Sequence, residues 1–207
     1  MPEARVRQAR RVVLASASAG KQREFAALLD TLHFELVLQS ALGICSAAET
    51  GSSFEANALL KARHAAFASG LPALADDSGL EVDALGGRPG IYSARYAGLA
   101  ACDADNNAKL LAELAGVPAP SRSARYRCVL ALVRAHDDPA PVLAHGVWEG
   151  FIATEPAGSN GFGYDPLFVP CGMTLHAAQL RAELKNRLSH RGHAASELMS
   201  RLERLSW

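Results

Sequence analysis

Residues 125–135 and 142–154 are two long runs of strand type, separated only by the turn-rich His136-Asp137-Asp138-Pro139. Strands that follow one another this closely favour a mixed α/β sheet over a purely parallel one. The first half of the chain alternates instead. The apolar run Val12-Val13-Leu14-Ala15 leads through a small-residue loop into a helix from Lys21, where Phe25, Leu28, Leu29 and Leu32 recur at i, i+3, i+4 and i+7. Residues 34–38 read as a second strand. Gly51-Ser52-Ser53 opens a helix that runs to about Ser69 and is closed by Gly70. A short strand, 71–75, then delivers Asp76-Asp77-Ser78-Gly79 to a turn, and a Gly/Pro-rich loop, 86–90, follows. Asp103 is placed to cap a helix over 104–115. Residues 158–166 form a glycine-rich loop, and 175–186 and 192–205 read as helices interrupted at Ser189-His190-Arg191-Gly192. With 207 residues, 49% of them hydrophobic, the chain can build one large domain or two closely packed lobes.

Charge narrows the partners. Lys plus Arg and Asp plus Glu each number 21, so no global positive field draws nucleic acid or an anionic membrane. A polyanionic ligand must be met by a local cluster of cations. Cys45, Cys102, Cys128 and Cys171 are far apart, lack metal-type spacing, and read as reduced thiols of a cytoplasmic protein. No apolar run is long enough to span a bilayer, and no apolar h-region precedes Val12, which argues against a signal peptide. Arg5, Arg7, Arg10 and Arg11 read as a solvated N-terminal extension, 1–11, ahead of a domain over 12–207.

Several short segments carry chemistry. Two adjacent carboxylates, Asp76 and Asp77, repel unless a cation neutralises them, and a hard divalent ion such as Mg²⁺ suits oxygen ligands of this kind. A solvated Asx turn is the plainer alternative. The loop Ser16-Ala17-Ser18-Ala19-Gly20-Lys21 lies at a helix N-terminus, a place suited to phosphate. It is not a P-loop, since Ala15 and Gln22 stand where glycine and a metal-binding hydroxyl belong. On the next helix Asn57, Lys61 and His64 share one face, opposite Phe54, Ala58, Ala62, Ala65 and Ala66. The chain has four lysines against seventeen arginines, and Lys21, Lys61 and Lys185 all fall in segments singled out on other grounds. Gly161-Phe162-Gly163-Tyr164-Asp165-Pro166 can present a ring face on which a base stacks, with Asp165 placed to accept from a ring N–H. His190-Arg191 at a helix start can donate to an exocyclic oxygen. Each segment alone is matched by a structural alternative: a capped helix, a solvated face, a tight turn, a helix boundary.

Taken together and in order, these segments resemble the inosine triphosphate pyrophosphatase family over nearly the whole chain. The resemblance rests on Leu14-Ala15-Ser16 with Gly20-Lys21, Glu49-Thr50-Gly51, Asn57-Ala58 with Lys61-Ala62, and Ala75-Asp76-Asp77-Ser78-Gly79-Leu80. It continues through Gly86-Gly87, Pro89-Gly90-Ile91-Tyr92-Ser93-Ala94-Arg95-Tyr96, residues 161–166, and Lys185 with Ser189-His190-Arg191-Gly192. The resemblance implies an elongated mixed β-sheet flanked by helices, with two lobes and a central nucleotide cleft. It also implies a homodimer, Mg²⁺ dependence, and cleavage of ITP, dITP or XTP to the monophosphate and pyrophosphate. It puts triphosphate on Ser16, Ala17, Ser18, Ala19, Gly20 and Lys21. Metal falls to Glu49 and Asp77, with Asp77 also the proton acceptor. Further substrate contacts fall to Lys61, Ser78, Phe162, Gly163, Tyr164, Asp165, Lys185, His190 and Arg191. Three positions depart from the family pattern: Ser18 stands for Asn, Ala48 for Glu, and Ala56 for Glu. The last two remove carboxylates and leave the metal shell resting on Glu49, Asp76 and Asp77.

Three rivals are weighed. A Maf-type nucleotide pyrophosphatase is disfavoured by 161–166 and Ser189-His190-Arg191. A non-catalytic nucleotide-binding protein is disfavoured by Glu49, Lys61, Asp76 and Asp77 standing together. Nucleic-acid binding is disfavoured by the zero net charge.

Overall fold

The computed structural model of the protein describes residues 10–30 and 34–205. Its elements are β1 (Arg10–Ala15), α1 (Ala19–Leu28), β2 (Phe34–Leu38), α2 (Phe54–Ser69), β3 (Ala73–Val82), α3 (Asp103–Glu113), β4 (Ser123–Val133), β5 (Val142–Ile152), β6 (Phe168–Pro170), α4 (Ala182–Leu188) and α5 (His190–Leu205). The strands form one sheet in the order β2-β1-β3-β4-β5-β6. β1 runs parallel to β2 and β3, and β3 to β6 are antiparallel neighbours, so the sheet is mixed as the strand spacing predicts.

Local signals account for the helices. Ser53 accepts the Ala56 N–H and starts α2, and Gly70 closes it in the left-handed conformation. Between them a small-residue face, Ala58, Ala62, Ala65 and Ala66, lies fully against one side of the sheet with Val13, Ala15, Ala73, Ala75 and Ala131. α1 and α5 cover the other side, where Phe25, Ala194 and Leu198 meet Leu14, Leu74, Leu130 and Leu132. Each fully buried leucine there contributes about 1.5–3 kcal/mol of burial. β3, β4 and β5 are long enough to continue past this core into a second one. There Leu80, Val82, Tyr126 and Trp148 pack with Leu110, Leu114, Phe168 and Leu180. These are the two lobes, and the sheet is their common floor.

The structure alters several expectations. Asp76 and Asp77 lie in the middle of β3, not on a turn, because β4 pairs with the strand throughout, Asp76 opposite Leu130 and Asp77 opposite Val129. Gly79 marks a close approach instead: a β-carbon there would fall 2.6 Å from Ser93 Oγ. β1 begins at Arg10, so Arg10 and Arg11 belong to the sheet, where Arg11 pairs with Glu35 at 3.4 Å. The rest of the expected extension, residues 1–9, lies outside the described residues, as does Leu32. α1 starts at Ala19, two residues early, and stops at Leu28. α3 is capped at Cys102, whose N–H donates to Asp105, while the Asp103 carboxylate accepts the Gly163 N–H. The helix expected over 175–186 is split into a 3₁₀ turn, Ala177–Gln179, and α4. The reason is tertiary: Ala178 exchanges backbone hydrogen bonds with Asn160 and Asp165, which uses groups that a continuous helix would need. β6, three residues long, gave no sequence signal.

Candidate functional site

A cleft of about 660 Å³ opens between the lobes. Its first wall is the β1–α1 connection. Ser16 and Ser18 organise it: Ser16 Oγ accepts the Ser18 N–H at 3.3 Å, and Ser18 Oγ accepts the Lys21 N–H at 3.4 Å as the N-cap of α1. Serine therefore caps the helix at one of the three departures from the family pattern. Ser16, Ala17, Ser18 and Lys21 line the cleft. Ala19 and Gly20, the first residues of α1, do not, and Gly20 lies under the Phe162 ring, 2.7 Å from where its β-carbon would be to Phe162 Cδ1.

The alternation of β3 sends the two aspartates to opposite faces of the sheet. Asp76 faces α1 and α5, where it meets Lys21 Nζ at 2.7 Å and accepts from Ser78 Oγ at 2.9 Å. Burial alone would raise this carboxyl, but Lys21, Lys61 and Arg191 outweigh it and hold it at about 2. Asp77 faces α2. Asn57, fully buried and not on a solvated face, reaches it at 3.3 Å, and Lys61 Nζ lies 2.7 Å from its Oδ1. The same ammonium lies 2.9 Å from Glu49 Oε1, so Lys61 joins the two carboxylates. Burial and the nearby Glu49 raise the Asp77 carboxyl above the ordinary range, against the opposing pull of Lys61. Glu49 is lowered: Lys61 and the Arg95 guanidinium, 2.8 Å from Oε2, overcome its desolvation. Burial would lower the Lys61 ammonium, yet Asp76, Asp77 and Glu49 raise it, so it stays charged.

The far wall is aromatic. The Phe162 ring has Lys185 Nζ and the Arg191 guanidinium each 4.9 Å from its centroid, and Gly163 lines the cleft beside it. Tyr164 is buried and donates to the Ser93 carbonyl at 2.8 Å. Asp165 is nearly filled by protein partners: Oδ2 takes Lys185 at 2.5 Å and the Phe162 N–H at 2.9 Å, and Oδ1 takes Tyr126 Oη at 3.4 Å. Lys185 is buried between Asp165 and Glu24 and does not line the cleft. Arg191 donates to Glu24 at 3.0 Å and to Ser78 Oγ at 2.9 Å, while its Nε has no partner. His190 stacks on Tyr126 at 4.6 Å with both ring nitrogens buried and unpartnered. Desolvation, then the charges of Arg191 and Lys185, push its pKa well below 6.5, so the ring is neutral.

The structure thus gathers Glu49, Lys61, Ser78, His190 and Arg191 around the cleft with Ser16, Ala17, Ser18, Lys21 and the segment 162–165, whereas Ala19, Gly20 and Lys185 stay off its lining and Asp77 lies buried behind it, reached through Lys61. It adds three residues to which sequence reasoning gave no role: Glu24, Arg95 and Tyr126. Glu24 follows Lys21 at i+3 on α1, a spacing indistinguishable from a surface ion pair. Arg95 stood among the residues carrying the resemblance, yet nothing local tied it to Glu49. Tyr126 reads as one more core residue of β4.

A cleft that brings a helix N-terminus and lysines together with the flat Phe162 ring suits a ligand with an anionic part and a planar part, which places the chain among the nucleotide-acting α/β proteins. More narrowly, the sequence model of the Ham1 family matches residues 12–201, and the chain belongs to that family. It is 60% identical to a dITP/XTP pyrophosphatase of Methylococcus capsulatus over 95% of this chain and 98% of the relative. It is 53% identical to the dITP/XTP pyrophosphatase of Vibrio cholerae over 94% of this chain and 97% of that one. Among solved structures it is similar to a HAM1 protein from Coxiella burnetii, with a TM-score of 0.86, 47% identity, and 94% and 98% of the two chains covered.

Proposed function

We propose that this chain hydrolyses ITP, dITP and XTP to the nucleoside monophosphate and pyrophosphate, clearing non-standard purines from the nucleotide pool. It is a hydrolase of nucleotide metabolism acting on acid anhydrides, in line with relatives of that name matched over nearly their full length. The observation that carries the site assignment is Lys61, which lines the cleft with Glu49 and joins it, at 2.9 Å, to the buried Asp77 behind the wall, at 2.7 Å, in the same cleft that receives the N-terminus of α1.

Two carboxylates gathered on one cation fit a hard divalent ion, and Mg²⁺ needs only one or two carboxylates, with water and phosphate completing its shell. Glu49 and Asp77 would hold it, and when bound it supplies neutralisation of charge on the phosphate oxygens. Ser16, Ala17, Ser18 and Lys21 receive the triphosphate at the N-terminus of α1, whose N–H groups and dipole favour anions. Asp77 orients a water towards the α-phosphorus and takes its proton, a role suited to a carboxyl whose proton affinity burial has raised. The water oxygen bonds to the α-phosphorus, the bridging P–O bond to the β-phosphate breaks, and pyrophosphate leaves with its charge met by Lys21 and Lys61. The base stacks on Phe162. Arg191 Nε or His190 donates to the oxygen at C6, and Asp165 Oδ1 accepts the N1–H with the lone pair that Tyr126 leaves free. Adenine reverses both edges and leaves buried groups unpaired.

The reading includes a homodimer in the cytoplasm and one two-lobed domain over 12–207, with neither nucleic acid nor membrane as partner. The zero net charge disfavours nucleic acid as a partner. The test is a panel of nucleoside triphosphates with Mg²⁺ and identification of the products. Pyrophosphate released preferentially from ITP, dITP and XTP is expected. Stepwise release of orthophosphate overturns the reading.

A further inference from the structure

Lys61 occupies a prepared seat. Glu49 and Asp77 each have two oxygens with different duties. The outer oxygens are pinned by fixed donors, Glu49 Oε2 by Arg95 at 2.8 Å and Asp77 Oδ2 by Asn57 at 3.3 Å. The inner oxygens, Oε1 and Oδ1, converge on the Lys61 ammonium at 2.9 and 2.7 Å. Arg95 and Asn57 therefore hold the seat, and Lys61 fills it. Its side chain is 12% exposed, so little water competes for the ammonium. Asp77 is buried and Glu49 partly so, and Arg95 offsets only one of the two charges, so Lys61 supplies the second counter-ion in the nucleotide-free protein.

We propose that Lys61 is the resident counter-ion of the Glu49–Asp77 pair, and that a divalent cation binds there only by exchange with it. The inference rests on the reading of Glu49 and Asp77 as metal carboxylates. An ammonium that gives up both carboxylates needs another anion. Within the cleft Asp76 Oδ2 is already held by Lys21 at 2.7 Å and Ser78 at 2.9 Å, so Lys61 moving to Asp76 would share a carboxylate that Lys21 already neutralises and would gain no unpaired anion. The phosphate oxygens of the nucleotide supply the missing anion. Metal and triphosphate then bind with mutual reinforcement, each making the other's binding tighter by the same factor. Metal alone binds the nucleotide-free protein weakly, because it must displace a charged group that has nowhere to go.

The test is Mn²⁺ binding to nucleotide-free protein, followed by titration calorimetry and by the electron spin resonance signal of free Mn²⁺. Lys61→Met empties the seat and is expected to bind Mn²⁺ on the order of tenfold tighter than wild type or better. A residue with only a structural role gives unchanged or weaker binding when removed. Lys21→Met removes the same charge from the same cleft without emptying the seat, and its Mn²⁺ affinity is expected to rise far less. Lys61→Gln, which keeps a hydrogen-bonding group, repeats the test if the methionine variant folds poorly. Failure of both Lys61 variants to tighten Mn²⁺ binding overturns the inference, as does an equal gain in Lys21→Met, which would point to cleft-wide charge. Hydrolysis of ITP by wild type with and without Mg²⁺ separates the two levels. Mg²⁺-dependent turnover without tightening removes the inference alone, whereas absence of Mg²⁺ dependence removes the carboxylate reading and the inference with it.

Discussion

Gly146→Ala tests whether the seating of α5 on the sheet sets the base-reading residues. Gly146 lies in β5 under the first turn of α5, which carries His190 and Arg191. A β-carbon at 146 would lie 2.5 Å from Ala194 N and closer still to the His190 carbonyl. Ordinary contact begins at 3.4 Å. Both obstacles are backbone, so no rotamer change relieves them, and the start of α5 must move by about 1 Å, a displacement that can cost on the order of 10²-fold in rate. Overpacking of this kind costs about 1–3 kcal/mol. At about 2–4 °C per kcal/mol for a chain of this size, Tm should fall by roughly 2–12 °C. The assay is kcat/KM for ITP and ATP at a temperature where the variant is fully folded, beside thermal melting. ITP turnover should fall about 10²-fold, with a smaller fall for ATP. Gly150→Ala is the comparison variant: its β-carbon would meet the Val169 carbonyl and, at 2.5 Å, Phe168 Cζ, so it strains the same strand against β6 and reaches His190 only indirectly, through the Phe168 contact with Tyr126. It should lower Tm and spare the ITP/ATP ratio. Unchanged ITP turnover in folded Gly146→Ala, or an equal change of ratio in both variants, refutes the reasoning.

Asp77→Asn is near-isosteric but removes a proton acceptor and a metal carboxylate together, so ITP turnover should fall by on the order of 10²–10⁴ with the melting profile little altered. Near wild-type turnover with Mg²⁺ would remove Asp77 from its role. Arg191→Ala should lower kcat/KM for ITP more than for ATP, since loss of a charged hydrogen bond costs about 1.5–3 kcal/mol and adenine never gained it. The double variant His190→Ala/Arg191→Ala is the stricter measurement, and equal slowing of both substrates would assign these residues to phosphate or to the fold. Acid stability should also register His190. Its folded pKa lies well below the unfolded value of about 6.5, so below that pH the unfolded state binds the extra proton and stability falls by up to about 1.4 kcal/mol per pH unit until the folded ring titrates. Melting from pH 7.5 to 5.5 should therefore cost wild type more than His190→Gln, and parallel losses would contradict a buried neutral ring.

What was legible in the sequence is what local chemistry decides. Ser53 and Gly70 bound α2 because a hydroxyl cap and a left-handed glycine act within one turn. Residues 34–38 form β2, and the two long runs form β4 and β5, because side-chain alternation is local as well. The errors arise where distant partners override such signals. Ser78-Gly79 resembles turn punctuation, yet β4 pairs with it throughout, and Gly79 is small because the 90–95 segment presses on it. Leu180 and Arg181 read as helix but are extended, since the Ala178 backbone is bonded to Asn160 and Asp165 of the glycine-rich loop. Glu24 illustrates the limit for the site. Its partners Lys185 and Arg191 are 161 and 167 residues away, and no spacing rule reaches so far.

The charges in and around the cleft are themselves matched. Lys21, Lys61 and Arg95 are matched with Asp76, Asp77 and Glu49, and Lys185 and Arg191 with Glu24 and Asp165. A self-matched cluster offers little net attraction to a bare polyanion, since each cation must first leave a carboxylate. It offers much more to a triphosphate that arrives with a divalent cation. On the exchange proposed above, such a cation would take the place of the ammonium on Glu49 and Asp77, and the ammonium would meet the phosphate. After such an exchange both carboxylates and the ammonium would again have partners, so the site could take a highly charged substrate with no charge left unmatched. Selectivity for the metal–nucleotide complex over either ion alone is then a property of the pairing pattern, and it needs no excess of positive charge anywhere in the chain.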